Sequence, residues 1–83
     1  MNRQGRKPNR NALNLTPRQQ EVFDMLVRGL SAFSVAGLLH IDEKTVETHR
    51  YQIYRKLRIN SHPELILFAV RKRLLTAEML ESP

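Results

Sequence analysis

The stretch that decides the fold is EKTVETHRYQIYRKL, residues 43–57. Val46, Ile53 and Leu57 recur in it at intervals of seven and four residues, which places them on one side of an α-helix. With that stripe buried, the opposite side faces outward and is mostly polar and basic. Its predicted residues are Lys44, Thr48, Tyr51 and Arg55, flanked by Glu47 and Arg58.

Capping signals predict two helices before this one. Thr16-Pro17-Arg18-Gln19 forms a capping box with proline in the first turn, and Gly29 is suited to end that helix with a left-handed residue. Ser31 begins a short second helix that ends near His40. After a tight connection, Asp42 is predicted to cap the helix over residues 43–57.

Ser61-His62-Pro63-Glu64 is a second capping box and opens a fourth helix that runs to about Arg73. No segment alternates with a period of two residues, so no strand is expected. The predicted fold is all-α: a compact four-helix domain with a helix-turn-helix made of helices 2 and 3, and a flexible basic N-terminal arm. The expected boundaries are 1–13 for the arm or linker, 14–76 for the domain and 77–83 for a C-terminal tail.

The chain is strongly basic. Its 83 residues carry 14 lysines and arginines against 8 acidic residues, a net charge of +6. The excess lies in residues 1–10, which contain no acid, and in residues 44–58, where Glu47 is the single acid among five cations. This distribution indicates a polyanionic partner rather than solubility alone. The basic arm is interpreted as a solvated tether in preference to a minor-groove binder.

Several classes of function are excluded by composition. The chain has no cysteine, so a disulfide framework, a thiolate zinc site and a cysteine nucleophile are ruled out. The three histidines lack zinc-like spacing, and no serine, histidine and carboxylate form a catalytic pattern. No enzyme activity, metal or cofactor is expected. No apolar run approaches the roughly 18 residues of a membrane span, and a cytoplasmic protein is expected.

Two short helices joined by about three residues, the second longer and basic, are the outline of a helix-turn-helix that lays its second helix in the major groove. Thr48 and Tyr51 are predicted to read base edges. Glu47 either accepts from a cytosine amino group or balances Lys44 or Arg50 as a solvated acid. Phosphate contacts are predicted for the cations Lys44, Arg50, Arg55, Lys56 and Arg58.

Blocks of sequence with fixed spacing extend this interpretation from about Leu15 to Leu75. They are Leu15-Thr16-Pro17-Arg18 with Glu21-Val22, Gly29-Leu30-Ser31, Leu39-His40-Ile41, Lys44-Thr45-Val46-Glu47-Thr48-His49-Arg50, Lys56-Leu57 and Glu64-Leu65. In content and spacing they resemble the LuxR/FixJ-type (GerE-like) DNA-binding domain family. The resemblance implies a bacterial transcription regulator that binds double-stranded DNA.

The resemblance also implies roles for single residues. The family's base contacts fall on Glu47, Thr48 and Tyr51, and its backbone contacts on Lys44, Thr45, Arg50 and Lys56. Helix 4 of the family commonly mediates a homodimer on DNA. The predicted interface residues are Leu67, Phe68, Val70, Arg71 and Leu74, with the alternative that Phe68 folds back onto its own core.

One departure from the family pattern stands at Ala32-Phe33-Ser34, where the family usually has a polar Asn-Lys-Glu run. It removes a basic phosphate contact. Phe33 either packs inward, which is preferred, or faces a protein partner such as an attached domain, RNA polymerase or another regulator. The alternative function is a protein-interaction or anti-regulator module of the same fold with weak, non-specific DNA binding. The promoter-reading end of a sigma factor shares the outline but fits residues 44–50 less well.

Overall fold

The computed structural model describes residues 13–73, which form four α-helices and the turns between them. They are Pro17–Val27 (α1), Ala32–Leu39 (α2), Glu43–Leu57 (α3) and His62–Arg71 (α4). No strand occurs between residues 13 and 73, which agrees with the predicted all-α class. The predicted bounds of α3 are confirmed. Most of the predicted arm and the whole predicted tail lie outside the described residues.

The start of α1 confirms its predicted capping box. The Thr16 hydroxyl accepts from the backbone N–H of Gln19 at 3.1 Å, and Oε1 of Gln19 accepts from the backbone N–H of Thr16 at 3.1 Å. At α2 the Ser31 hydroxyl caps the helix by accepting from the backbone N–H of Ser34 at 3.1 Å. These bonds satisfy N–H groups that have no partner within the helix.

Two predicted caps differ from the structure. Ser61 accepts from the N–H of Glu64 at 3.3 Å, but the Glu64 carboxylate accepts from the N–H of Asn60, one residue before the cap. The predicted bond from the backbone N–H of Ser61 to the Glu64 side chain is therefore wrong. Asp42 stands at the N-cap of α3 but makes no side-chain capping bond. Glu43 lies in the first turn of α3, where its negative charge interacts favourably with the positive end of the helix dipole.

The helix ends rely on left-handed residues. Gly29 has φ +95°, as predicted for the turn after α1. α2 and α3 end at His40 and Arg58, which have φ of 58° and 59°. Neither is glycine, so each turn carries a local conformational cost that the packing of the two helices offsets. α4 ends at Arg71, two residues before the predicted limit, because the chain turns at Lys72.

One hydrophobic core joins the helices, with α1 and α2 packed on α3 and α4 packed on α1. Val46 and Ile53 supply the buried side of α3 at 0% exposure, and Leu57 completes the stripe half-buried. Ile41, in the connection before α3, is half-buried against the same core. The largest fully buried side chains of the core are Phe23, Leu26, Ile53, Leu65, Val22, Val35 and Val46.

None of the helices in residues 13–73 combines the length and the apolar character that crossing a membrane requires.

Candidate nucleic-acid interface

The two predicted base-reading residues lie on the outer side of α3. Thr48 is exposed, and Tyr51, one turn later, is 60% exposed. Val46 and Ile53, on the other side of the helix, are completely buried. Because the core holds those two residues, rotation of α3 about its axis would bury polar groups and expose the stripe. The outward direction of Thr48 and Tyr51 therefore follows from the packing.

Local bonds orient both of these side chains. The Thr48 hydroxyl donates to the carbonyl of Lys44 at 3.2 Å, so it presents an acceptor oxygen and a methyl group outward. Nη1 of Arg55 donates to the Tyr51 hydroxyl at 3.4 Å, and the guanidinium lies 5.8 Å from the centre of the Tyr51 ring. This stacking keeps a cation beside the phenol, at the distance typical of a cation–π contact.

Glu47 and Arg50 form an ion pair one turn apart on the side of α3. Both side chains are half-buried. Burial raises the pKa of the neighbouring Tyr54 phenol, while the Arg50 charge lowers that pKa and the Glu47 charge raises it. The pair lines an open cavity of about 510 Å³ with Tyr51, Tyr54, Ser61 and His62. Glu47 is thus paired with Arg50 in this structure, and its base contact stays a prediction.

Lys56 is tied into a network that sequence reasoning missed. Its Nζ donates to Oε1 of Gln19 at 2.9 Å and to the carbonyl of Asn14 at 3.0 Å. Gln19, which is buried, also donates through Nε2 to Oε1 of Gln52 at 2.9 Å. The capping box identified Gln19 only as a local partner of Thr16. Its bonds to α3 span more than 30 residues and carry no local sequence signal.

All of the predicted phosphate-contacting residues lie at the surface. Arg50 is half-buried with Glu47, and the others are exposed: Lys44, Thr45, Arg55, Lys56 and Arg58. Together with Tyr51 and Thr48 they surround the outer side of α3. The arrangement offers hydrogen-bond donors and positive charge to a polyanion.

The predicted interface on α4 is only partly outward. Leu67 and Val70 are about half exposed, and Arg71 is exposed. Phe68 is half-buried against the domain's own core, which confirms the alternative in which it folds back. Leu74 lies outside the described residues. The apolar strip on α4 is therefore narrower than predicted.

A model of the family described as bacterial regulatory proteins, luxR family, matches residues 13–69, well over half of the chain. The chain belongs to the luxR family. This membership supports DNA-binding transcription regulation, and it confirms the resemblance seen in the spaced sequence blocks. The four-helix fold and the exposed polar side of α3 agree with the assignment of the chain to the luxR family.

The luxR-family domain is also similar to larger curated proteins. Oxygen regulatory protein NreC of Staphylococcus carnosus (strain TM300) is 36% identical over 61 residues, which is 74% of this chain and 28% of NreC. The proteins of the same name from Staphylococcus epidermidis (strain ATCC 35984) and Staphylococcus aureus (strain JH9) match with equal identity and coverage. The luxR-family domain therefore spans little more than a quarter of the length of these relatives.

Phe33, the departure from the luxR-family pattern, is 75% exposed. The preferred inward placement is wrong, because Ala32, Val35 and Ala36 occupy the buried side of α2 and Phe33 follows Ala32 by one 100° step. Leu38, five residues later on α2, is 60% exposed. Both line an open apolar cavity of about 830 Å³ with Leu30, Ser34, Ala36, Gly37, His40, Ile41, Asp42 and Glu43.

Proposed function

We propose that this domain binds double-stranded DNA sequence-specifically as part of a transcription regulator, with α3 in the major groove. The observation that carries the proposal is the two-sided character of α3. Its apolar stripe is completely buried at Val46 and Ile53, while Thr48 and Tyr51 point into solvent. A helix fits the major groove, and this one offers a hydroxyl, a methyl and a phenol to base edges.

Charge supports the same proposal. The exposed cations of α3 and its C-cap surround the proposed base-reading residues, and DNA phosphates are recognised mainly by such side chains. The proposed phosphate contacts are Lys44, Thr45, Arg50, Arg55, Lys56 and Arg58. Lys56 already uses two of its three donors within the domain, so its contribution to phosphate binding is expected to be smaller than that of Lys44.

The proposal includes a homodimer on DNA. Leu67 and Val70 of α4 leave an apolar strip about half exposed, with Arg71 at its end. A symmetric contact along this strip would present two copies of α3 to half-sites about 10 base pairs apart. Such a regulator would act where bacterial DNA lies, in the cytoplasm.

The experiment that tests the proposal is selection of bound sequences from random duplex DNA, followed by titration of selected and random duplexes at two salt concentrations. A sequence-specific domain is expected to bind the selected duplex at least about 10³-fold more tightly than the random one. Sizing of the complex then reports whether two copies bind. Failure to enrich any sequence would contradict the proposal.

A second candidate function rests on the exposed apolar side of α2. Phe33 and Leu38 lie together beside an open cavity, and contiguous exposed apolar surface marks protein-interaction sites. In that case the domain acts as a protein-interaction or anti-regulator module, contacting RNA polymerase or another regulator. The same titration separates the two candidates, because weak binding that vanishes with modest salt and shows no sequence preference favours the second.

A further inference from the structure

Two residues with proposed DNA contacts are already bonded to each other. Glu47 has a proposed base contact and Arg50 a proposed phosphate contact, yet in the DNA-free domain they form an ion pair on the side of α3. The pair faces the open cavity between α3 and the start of α4. It stands next to Tyr51, so both members lie within reach of DNA that contacts the outer side of α3.

Engaging DNA through Arg50 alone would be unfavourable. If the guanidinium moves to a phosphate, the Glu47 carboxylate loses its partner at the surface of a polyanion. Beside the phosphates that carboxylate is repelled unless another donor replaces Arg50. In the major groove the donors are the amino groups of bases, and the cytosine N4 amino group is the usual partner of a glutamate.

Resting on the proposed function, we propose that Glu47 is a specificity-determining residue that makes the phosphate contact of Arg50 conditional on a cytosine amino group. On a matching site, the carboxylate accepts from cytosine and Arg50 turns to a phosphate. On other sequences the two side chains stay paired, and Arg50 adds nothing to affinity. Glu47 thus lowers non-specific binding and gains its effect through Arg50.

The chain provides a matched control. Arg18 and Glu21 on α1 form another ion pair with the same three-residue spacing, at 3.2 Å, and both side chains are exposed. Glu21→Gln changes the net charge as Glu47→Gln does, and it also frees an arginine. The comparison of the two variants therefore separates an effect of the α3 pair from an effect of total charge.

The experiment titrates the wild-type domain, Glu47→Gln, Glu21→Gln, Arg50→Gln and the double variant Glu47→Gln/Arg50→Gln against a random-sequence duplex over a range of salt. The release of Arg50 in Glu47→Gln is expected to steepen the salt dependence by about 0.9 in slope, the value for one added phosphate contact, and to tighten binding to random DNA severalfold. In the Arg50→Gln background the same change is expected to have a clearly smaller effect, because no arginine is released and only the repulsion between the carboxylate and the phosphates is removed. Glu21→Gln is expected to match the wild type.

A second set of titrations replaces each C·G pair of a selected duplex in turn. The wild type is expected to lose about tenfold in affinity at one position, and Glu47→Gln to lose that preference alone. Glutamine preserves the size of the glutamate side chains but is smaller than arginine, and thermal unfolding followed by circular dichroism verifies that each variant is folded.

Three results of the salt titrations would overturn the inference. They are an unchanged salt slope in Glu47→Gln, an equal effect of Glu21→Gln, and an effect of Glu47→Gln that is equally large in the Arg50→Gln background, which would indicate direct repulsion of DNA alone. Retention of every cytosine preference by Glu47→Gln would overturn it as well. Failure of the proposed function looks different, since the wild type itself would then bind selected and random duplexes equally.

Discussion

α2 and α3 share one core but expose opposite chemistry. On α2 the outward residues include Phe33, at 75% exposure, and Leu38. On α3 the outward side carries charged and hydroxyl groups, and its one exposed large apolar side chain, Tyr51, has a polar tip. The same packing rule thus produces a surface suited to dehydrated contact on α2 and one suited to ionic, hydrated contact on α3. The fold alone does not distinguish these two uses.

The largest effect is expected from a substitution in the core that α2 and α3 share. Ile53→Ala removes a side chain with 0% exposure and is expected to destabilise the domain by about 2–5 kcal/mol, through lost burial and a residual cavity. Urea unfolding measures the change. Tyr51→Ala, two residues earlier on the exposed side, serves as the control and is expected to stay within about 0.5 kcal/mol. Equal losses would show that Tyr51 contributes to the core.

The next test compares DNA binding by the outward faces. Thr48→Ala or Tyr51→Ala is expected to weaken binding to a selected duplex by about 1–3 kcal/mol while sparing random DNA, because each removes a proposed base contact. Fluorescence anisotropy with both duplexes measures this. Phe33→Ala is the matched variant on α2 and is expected to leave both affinities unchanged. A loss of binding in Phe33→Ala as large as in Tyr51→Ala would erase the distinction between the two helices.

A third test concerns how the two helices begin. Ser31 bonds the N–H of Ser34, whereas Asp42 makes no side-chain capping bond, so Ser31→Ala is expected to cost about 1 kcal/mol. Asp42→Ala is expected to cost only a few tenths of that, through the helix dipole. The free energy of unfolding in urea checks both values. The reverse order would mean that the Asp42 carboxylate caps α3 in solution.

The smallest expected effect is on stability at the apolar side of α2. Phe33→Ser and Leu38→Ser are each expected to change the free energy of unfolding by less than about 0.5 kcal/mol, because both side chains are mostly exposed. Binding to a protein partner, if α2 has one, is expected to fall much more. Differential scanning calorimetry measures the stability of each variant, and sedimentation velocity measures its binding to a protein partner. A large loss of stability would place Phe33 inside the core after all.

Much of the fold was predictable because its signals are local. The apolar interval of α3 and the Thr16 capping box each involve a few neighbouring residues, and both predictions are confirmed. The position of Phe33 was not predictable from its hydrophobicity, since a one-residue step around α2 decides whether Ala32 or Phe33 faces inward. The bond between Lys56 and Gln19 joins residues 37 apart, and only the packing of α1 on α3 brings them together.

The link between Lys56 and Asn14 has a mechanical consequence. This hydrogen bond fastens the backbone at the entrance to the domain, 42 residues away along the chain, to the last turn of α3. The N-terminal end of the described residues therefore contacts α3 directly, in addition to its connection through α1. The helix that carries Thr48 and Tyr51 is thus held to the first described residues both by the packing of α1 and by the ammonium group of Lys56.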